Sequence, residues 1–94
     1  MTMLTRDMGM THSDFFRTFP AVAGESSWQV ERNIVTLQQP RGTVTIRLGP
    51  QGERRIAGLS LPTTLLEFEF PHYPPADVEA FMSRFDRSFR RGGG

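Results

Sequence analysis

The stretch Thr63–Arg91, TTLLEFEFPHYPPADVEAFMSRFDRSFRR, decides the fold. In its first eight residues Leu66, Phe68 and Phe70 alternate with Glu67 and Glu69. That period of two marks a strand with one buried and one wet face. After His72-Tyr73-Pro74-Pro75 the apolar residues fall at Val78, Phe81, Met82, Phe85 and Phe89. Steps of three, four and seven place them on one stripe of a helix. Each element has an apolar face that water penalises, so the helix is expected to lie on the sheet.

Upstream, short strands alternate with turn residues. Ser27–Arg32 alternates about Trp28 and Val30, and Arg32-Asn33 suits a tight turn because Asn tolerates positive φ. Ile34–Gln38 follows without clean alternation, and Gln39-Pro40-Arg41-Gly42 reverses the chain. Thr43–Leu48 is the clearest strand, with Val44, Ile46 and Leu48 apolar. Gly49-Pro50-Gln51-Gly52 reads as a hairpin turn, Arg54–Leu61 as a strand with a bulge at Gly58, and Pro62 as a separator before Thr63–Phe70. The short connections predict a five-stranded antiparallel meander. Its inward residues are Val30, Val44, Ile46, Leu48, Leu59, Leu66, Phe68 and Phe70. Gln29, Glu31, Thr43, Thr45, Arg47, Glu67 and Glu69 face water; Trp28 alternates with the wet positions as a core residue would, while it or Tyr73 could instead anchor a partner.

At the amino end, Thr11 and Asp14 are spaced to cap a short helix carrying Phe15, Phe16 and Phe19, which Pro20 is expected to stop. Residues 21–27 form a linker. Met1–Met10 holds four of the five Met residues and little periodicity, so disorder is expected there. The closing helix starts at Pro75 with Asp77 and Glu79 in its first turn, and its last turns carry Arg84, Arg87, Arg90 and Arg91, matching the helix dipole at both ends. Asp86 and Arg90 are spaced to pair across one turn. Gly92-Gly93-Gly94 is expected to be a flexible tail. The expected class is α+β, in the order α-β-β-β-β-β-α, with one domain over 11–91 and both helices on one face.

Composition narrows the chemistry. The chain has 94 residues, eight Phe, one Trp and one Tyr, so aromatic burial must carry a thin core. Its formal net charge is +1, which gives no global pull toward nucleic acid or anionic lipid. All eleven cations are Arg, as a GC-rich bacterial genome would produce. The absence of Cys excludes thiolate catalysis, disulfides and cysteine-held metal. No apolar run reaches membrane-spanning length and the first ten residues lack a signal-peptide core, so a cytoplasmic setting without membrane contact is expected.

Candidate sites are few. Arg84, Arg87, Arg90 and Arg91 could grip phosphate bidentately, or merely neutralise a helix end. No RNA-recognition motif or helix-turn-helix accompanies them. His12 and His72 lack metal-ligand spacing, although Glu67, Glu69 or Asp77 could supply oxygen near His72. Glu67 and Glu69 lie two apart on one strand face, where Arg47 or Arg55 across the sheet is the natural company. Gly49–Gly52 lacks the Lys and following helix of a phosphate loop. Neither a cofactor, a metal nor a catalytic set is expected. The composition therefore favours a non-catalytic protein-interaction module, binding another protein or a second copy through an open strand edge or the charged sheet face. An Arg-mediated nucleic-acid or phosphate binder is the competing reading, and a small enzyme with a site beside His72 and Tyr73 is the third.

Overall fold

Residues Leu59–Phe70 form one twelve-residue strand, and the sheet is assembled around it. The structure, a computed structural model, describes residues 1–91. Along the chain the elements are β1 (Thr2–Met8), α1 (His12–Ala23), β2 (Trp28–Glu31), β3 (Ile34–Gln39), β4 (Gly42–Leu48), β5 (Gly52–Ile56), β6 (Leu59–Phe70) and α2 (Pro75–Arg91). Every pairing is antiparallel; the strand order is β1-β6-β4-β3-β2, with β5 on the first part of β6. The class is α+β, as expected.

One face of the sheet is dry. Val35, Leu37, Val44, Ile46, Leu48, Leu66, Phe68 and Phe70 are buried against Phe15, Phe19 and Val22 of α1 and Phe81, Met82, Phe85 and Phe89 of α2. A run of rings joins the elements: Trp28 on Phe19, Phe19 on Phe15, Phe15 on Phe89, Phe89 on Phe85 and Phe85 on Phe68. Four of the five centroid separations, 4.9–5.4 Å, are within the range that favours aromatic pairs, and Phe85 and Phe89 stack slightly closer at 4.3 Å. Eight Phe thus do the work of a thicker aliphatic core. The weakly alternating Ile34–Gln38 resolves into β3 with Val35 and Leu37 inward.

Several expectations are corrected. Met1–Met10 is no disordered leader, because Thr2–Met8 pairs residue for residue with β6 from Phe70 to Thr64. Leu4 and Met8 pack on the core, and Thr64 Oγ1 donates to the Met10 carbonyl at 2.9 Å. Pro20 does not stop α1, which continues to Ala23. An interior Pro costs about 3 kcal/mol, while burying a Val side chain returns about 1.5–3 kcal/mol. Val22 and Ala23 both lie in the core, so their burial offsets the proline. The Gly tail at 92–94 lies outside the described residues.

The meander is also interrupted. β4 pairs with β6, not with β5, and Gly49–Gln51 is not a hairpin turn. Those three residues face only Thr64 and Leu65 on β6, so the crossing is a bulged continuation of one long strand. The true reversal is at Ala57-Gly58, both with positive φ (50° and 82°), as a two-residue hairpin of primed type requires. Pro62 lies within β6 opposite Glu53. Counting ladder positions from the turn makes this a non-hydrogen-bonded pair, where a missing N–H costs nothing in the ladder. Val30 and Leu59 are not core residues: they are 45 % and 66 % exposed, Val30 on a four-residue edge strand and Leu59 beyond the reach of either helix. Arg32-Asn33 forms the expected turn, with φ of 50° and 65°.

Candidate functional site

Among the described residues the ends of the strand order, β1 and β2, are open edges, and β5, paired only with β6, is open on its other side. Native edges are usually blunted by shortness, proline or bulges. β2 is short, at four residues. β1 has seven residues in unbroken register and no proline; no strand pairs with its outer side among the described residues, where the Thr5 carbonyl accepts from Arg6 Nη1 at 3.1 Å. Its alternate main-chain N–H and C=O groups on that side face outward.

A groove of about 380 Å³ runs between this edge and α2. The even residues of β1 turn toward the helical layer because their partners on β6, Phe70, Phe68 and Leu66, are buried. Thr2, Leu4 and Arg6 therefore form one wall. Val78, Met82 and Asp86, spaced by four along α2, form the other, with Glu79 and Ser83 on the rim. The floor is apolar: Val78 and Met82 are buried and Leu4 is half-buried. Arg6 closes one end by donating from Nε and Nη2 to Asp86 Oδ1 and Oδ2, both at 3.2 Å. That pair neutralises itself. Glu79 makes no ion pair among the described residues, so it leaves one exposed negative charge on the rim.

The arginines singled out in the sequence, Arg84, Arg87, Arg90 and Arg91, all lie on the last turns of α2. Arg84 donates to Gln39 Oε1 at 3.1 Å and lies 5.4 Å from the centroid of the Phe81 ring. Arg90 borders a hollow that also contains Asp7 and Asp86. Six residues apart on a helix, the two point about 120° from each other. Arg87 is exposed, and Arg91 ends α2. Asp86 pairs with Arg6 and not with Arg90, because β1 brings a guanidinium to it in a two-point geometry.

The histidines are far apart in role. His12 opens α1, its Nε2 lies 2.8 Å from the Gly49 carbonyl, and its backbone N–H donates to Gln51 Oε1. It therefore fastens the helix to the bulged crossing. His72 is exposed, at φ 62°, in the turn after β6. Tyr73 beside it is buried, packs on Phe70 and donates to the Gly42 carbonyl at 3.2 Å. Burial, followed by the nearby Asp77 carboxylate, pushes its phenol pKa above the ordinary tyrosine value. Among the described residues no group of three or more His, Asp or Glu could hold a metal ion. Glu67 stands directly opposite Arg47 on the open face of the sheet, whereas Arg55 lies out on the β5–β6 hairpin.

Sequence reasoning missed the groove because its strand wall was read as disordered. The available signal was the alternation of Leu4 and Met8 with Thr5 and Asp7, weakened by the inward Arg6. Among the described residues no helix is long and apolar enough to cross a membrane. No family model, curated protein or solved structure matches the chain.

Proposed function

We propose that the protein is a non-catalytic interaction module that takes an extended segment of a partner protein as an added strand on β1. The supporting observation is a seven-residue, proline-free edge strand lying directly beside an apolar groove. Main-chain hydrogen bonds to β1 supply affinity, and alternate side chains of the added strand enter the groove and supply selectivity. Leu4, Val78 and Met82 select apolar side chains there. Glu79, unpaired at the rim, selects Lys or Arg at an adjoining position. The partner segment is thus extended, alternately apolar, and basic near one end of the groove.

Selection from a library of random linear peptides tests this. Recovered sequences should alternate apolar residues at every second position with a basic residue alongside, and Ser83→Trp, which fills the groove from its exposed rim, should abolish their binding. Peptides without that pattern, or binding indifferent to Ser83→Trp, would overturn strand addition at this edge.

A further inference from the structure

We infer, on the reading of β1 as a strand-accepting edge, that at high concentration the strand it takes is β1 of a second copy. The two-fold contact closes the groove until a partner segment displaces it.

The register follows from which main-chain groups are free. The Gly49 N–H donates to the Leu65 carbonyl at 2.8 Å, so odd residues of β6 bond toward β4 and even ones toward β1. Their partners Thr2, Leu4, Arg6 and Met8 spend their N–H and C=O groups on β6, which leaves those of Met3, Thr5 and Asp7 pointing outward. Thr5 is the midpoint of Thr2–Met8. A two-fold axis beside it pairs all seven residues of one β1 with all seven of the other, and the two Thr5 residues exchange both main-chain bonds. Arg6 Nη1 then yields the Thr5 carbonyl to the incoming N–H, while Nε and Nη2 keep their bonds to Asp86. Moving the axis to Leu4 or Arg6 shortens the ladder by two residues, and at Arg6 it sets two guanidiniums directly opposite. On the open face Thr5 meets Thr5, a favourable cross-strand pair, and Met3 meets Asp7, whose charge Arg54 already holds at 2.7 Å. On the groove side the two Leu4 residues are diagonal neighbours, about 7–8 Å apart at Cα, so each apolar wall meets the other.

The helices supply the charge complementarity. β1 and α2 run the same way, with Leu4 and Met82 in one groove, Arg6 bonded to Asp86, and Asp7 bordering the same hollow as Arg90. Thr5 is therefore level with the turn between Met82 and Asp86. The axis at that level sets the two α2 helices antiparallel, with Glu79 of each opposite the span from Arg87 to Arg90 of the other. Glu79, Arg87 and Arg90 are exposed, and none makes an ion pair among the described residues. The second copy thus offers what the rim of the groove selects, a basic side chain beside an apolar wall, and symmetry makes the match twice. A seven-residue ladder is only about 23 Å long, too small to reach the ~800 Å² per partner of a standard interface. The pair is therefore weak, and dilution opens the edge.

Sedimentation equilibrium of the full chain from about 1 µM to about 1 mM tests self-pairing. The average mass should rise from the 10.7 kDa of one chain toward twice that value. Two charge variants, Glu79→Arg and the combined Arg87→Glu with Arg90→Glu, alter only exposed side chains. Each alone should stay monomeric at the highest concentration, whereas an equimolar mixture of the two should associate, because the unlike pair restores both contacts. A wild type that stays monomeric throughout would overturn self-pairing. So would a charge variant that dimerises as wild type does, or a mixture that fails to associate. Peptide selection at micromolar protein, where the edge is open, reads strand addition separately: peptides recovered from a protein that never dimerises would leave strand addition standing and remove only the second copy.

Discussion

Arg6 on the edge strand and Asp86 on the closing helix meet through two parallel hydrogen bonds of 3.2 Å, joining residues eighty positions apart. The side chains are each 36 % exposed, so solvent screens much of their attraction. Asp86→Asn should therefore cost no more than about 1 kcal/mol of global stability. Its larger effect is local: amide exchange across Thr2–Met8 should accelerate while β3 and β4 stay protected. Equal acceleration in all strands would show that the pair supports the whole fold and not the edge.

The ring run through Phe15, Phe89 and Phe85 is the mechanical centre of the molecule. Phe85 is fully buried between Phe68 and Phe89. Phe85→Ala should cost about 3–5 kcal/mol, a large share of the roughly 5–15 kcal/mol that holds a domain together. Phe16, half-buried at the margin of the same core, should tolerate Ala with a clearly smaller loss. Urea unfolding of the two variants decides the order, and a larger loss at Phe16 would misplace the core.

At the start of α1, Thr11 Oγ1 accepts from the Asp14 backbone N–H while Asp14 Oδ2 accepts from the Thr11 N–H. Thr11→Ala should cost about 1 kcal/mol, as lost caps do. The Thr11 backbone bond, then the Thr11 hydroxyl and Arg17, hold the Asp14 carboxyl below its ordinary pKa. Its contribution is therefore present above about pH 4 and disappears as pH falls through the lowered value. An Asp14→Ala protein, which lacks the carboxylate itself, should consequently show a shallower acid limb than wild type. An unchanged limb would mean that the carboxylate is not stabilised by this cap.

Tyr73 is the single tyrosine, so its ionisation can be followed by absorbance without assignment. Burial raises its pKa, and the titration midpoint should lie above the usual value of about 10. Stability from the neutral phenol is complete below that usual value and is lost as pH rises through the folded one. Tyr73→Phe should remove this alkaline loss and cost about 0.5–1.5 kcal/mol at neutral pH through the bond to Gly42. A midpoint at or below the ordinary value would contradict the buried placement.

How far the sequence foretells the fold depends on whether a signal is local. Residues 63–91 were legible because periods of two and of about 3.6 are written in consecutive residues, and α2 and the second half of β6 form as read. Asn33 and Gly42 marked their turns for the same reason. The pairing of β4 with β6 was not legible, because a glycine-proline stretch signals a reversal equally well whether it is a hairpin or a bulge. Ala57, an ordinary strand residue, hid the real turn. Thr2–Met8 was unreadable for a different cause: with Arg6 facing the helical layer to meet Asp86, its alternation is broken by the residue that builds the groove. The candidate site therefore depends on a contact across the whole chain that no local pattern contains.

Amide hydrogen exchange of the free protein and of its complex with a selected peptide is the most direct test of strand addition. Alternate amides of Thr2–Met8, those on the unpaired side, should exchange fast when free and slow sharply when the peptide binds, with β2 unchanged. Protection appearing along α2 near Arg84 and Arg87, or at the β5–β6 hairpin, with none in β1, would contradict it.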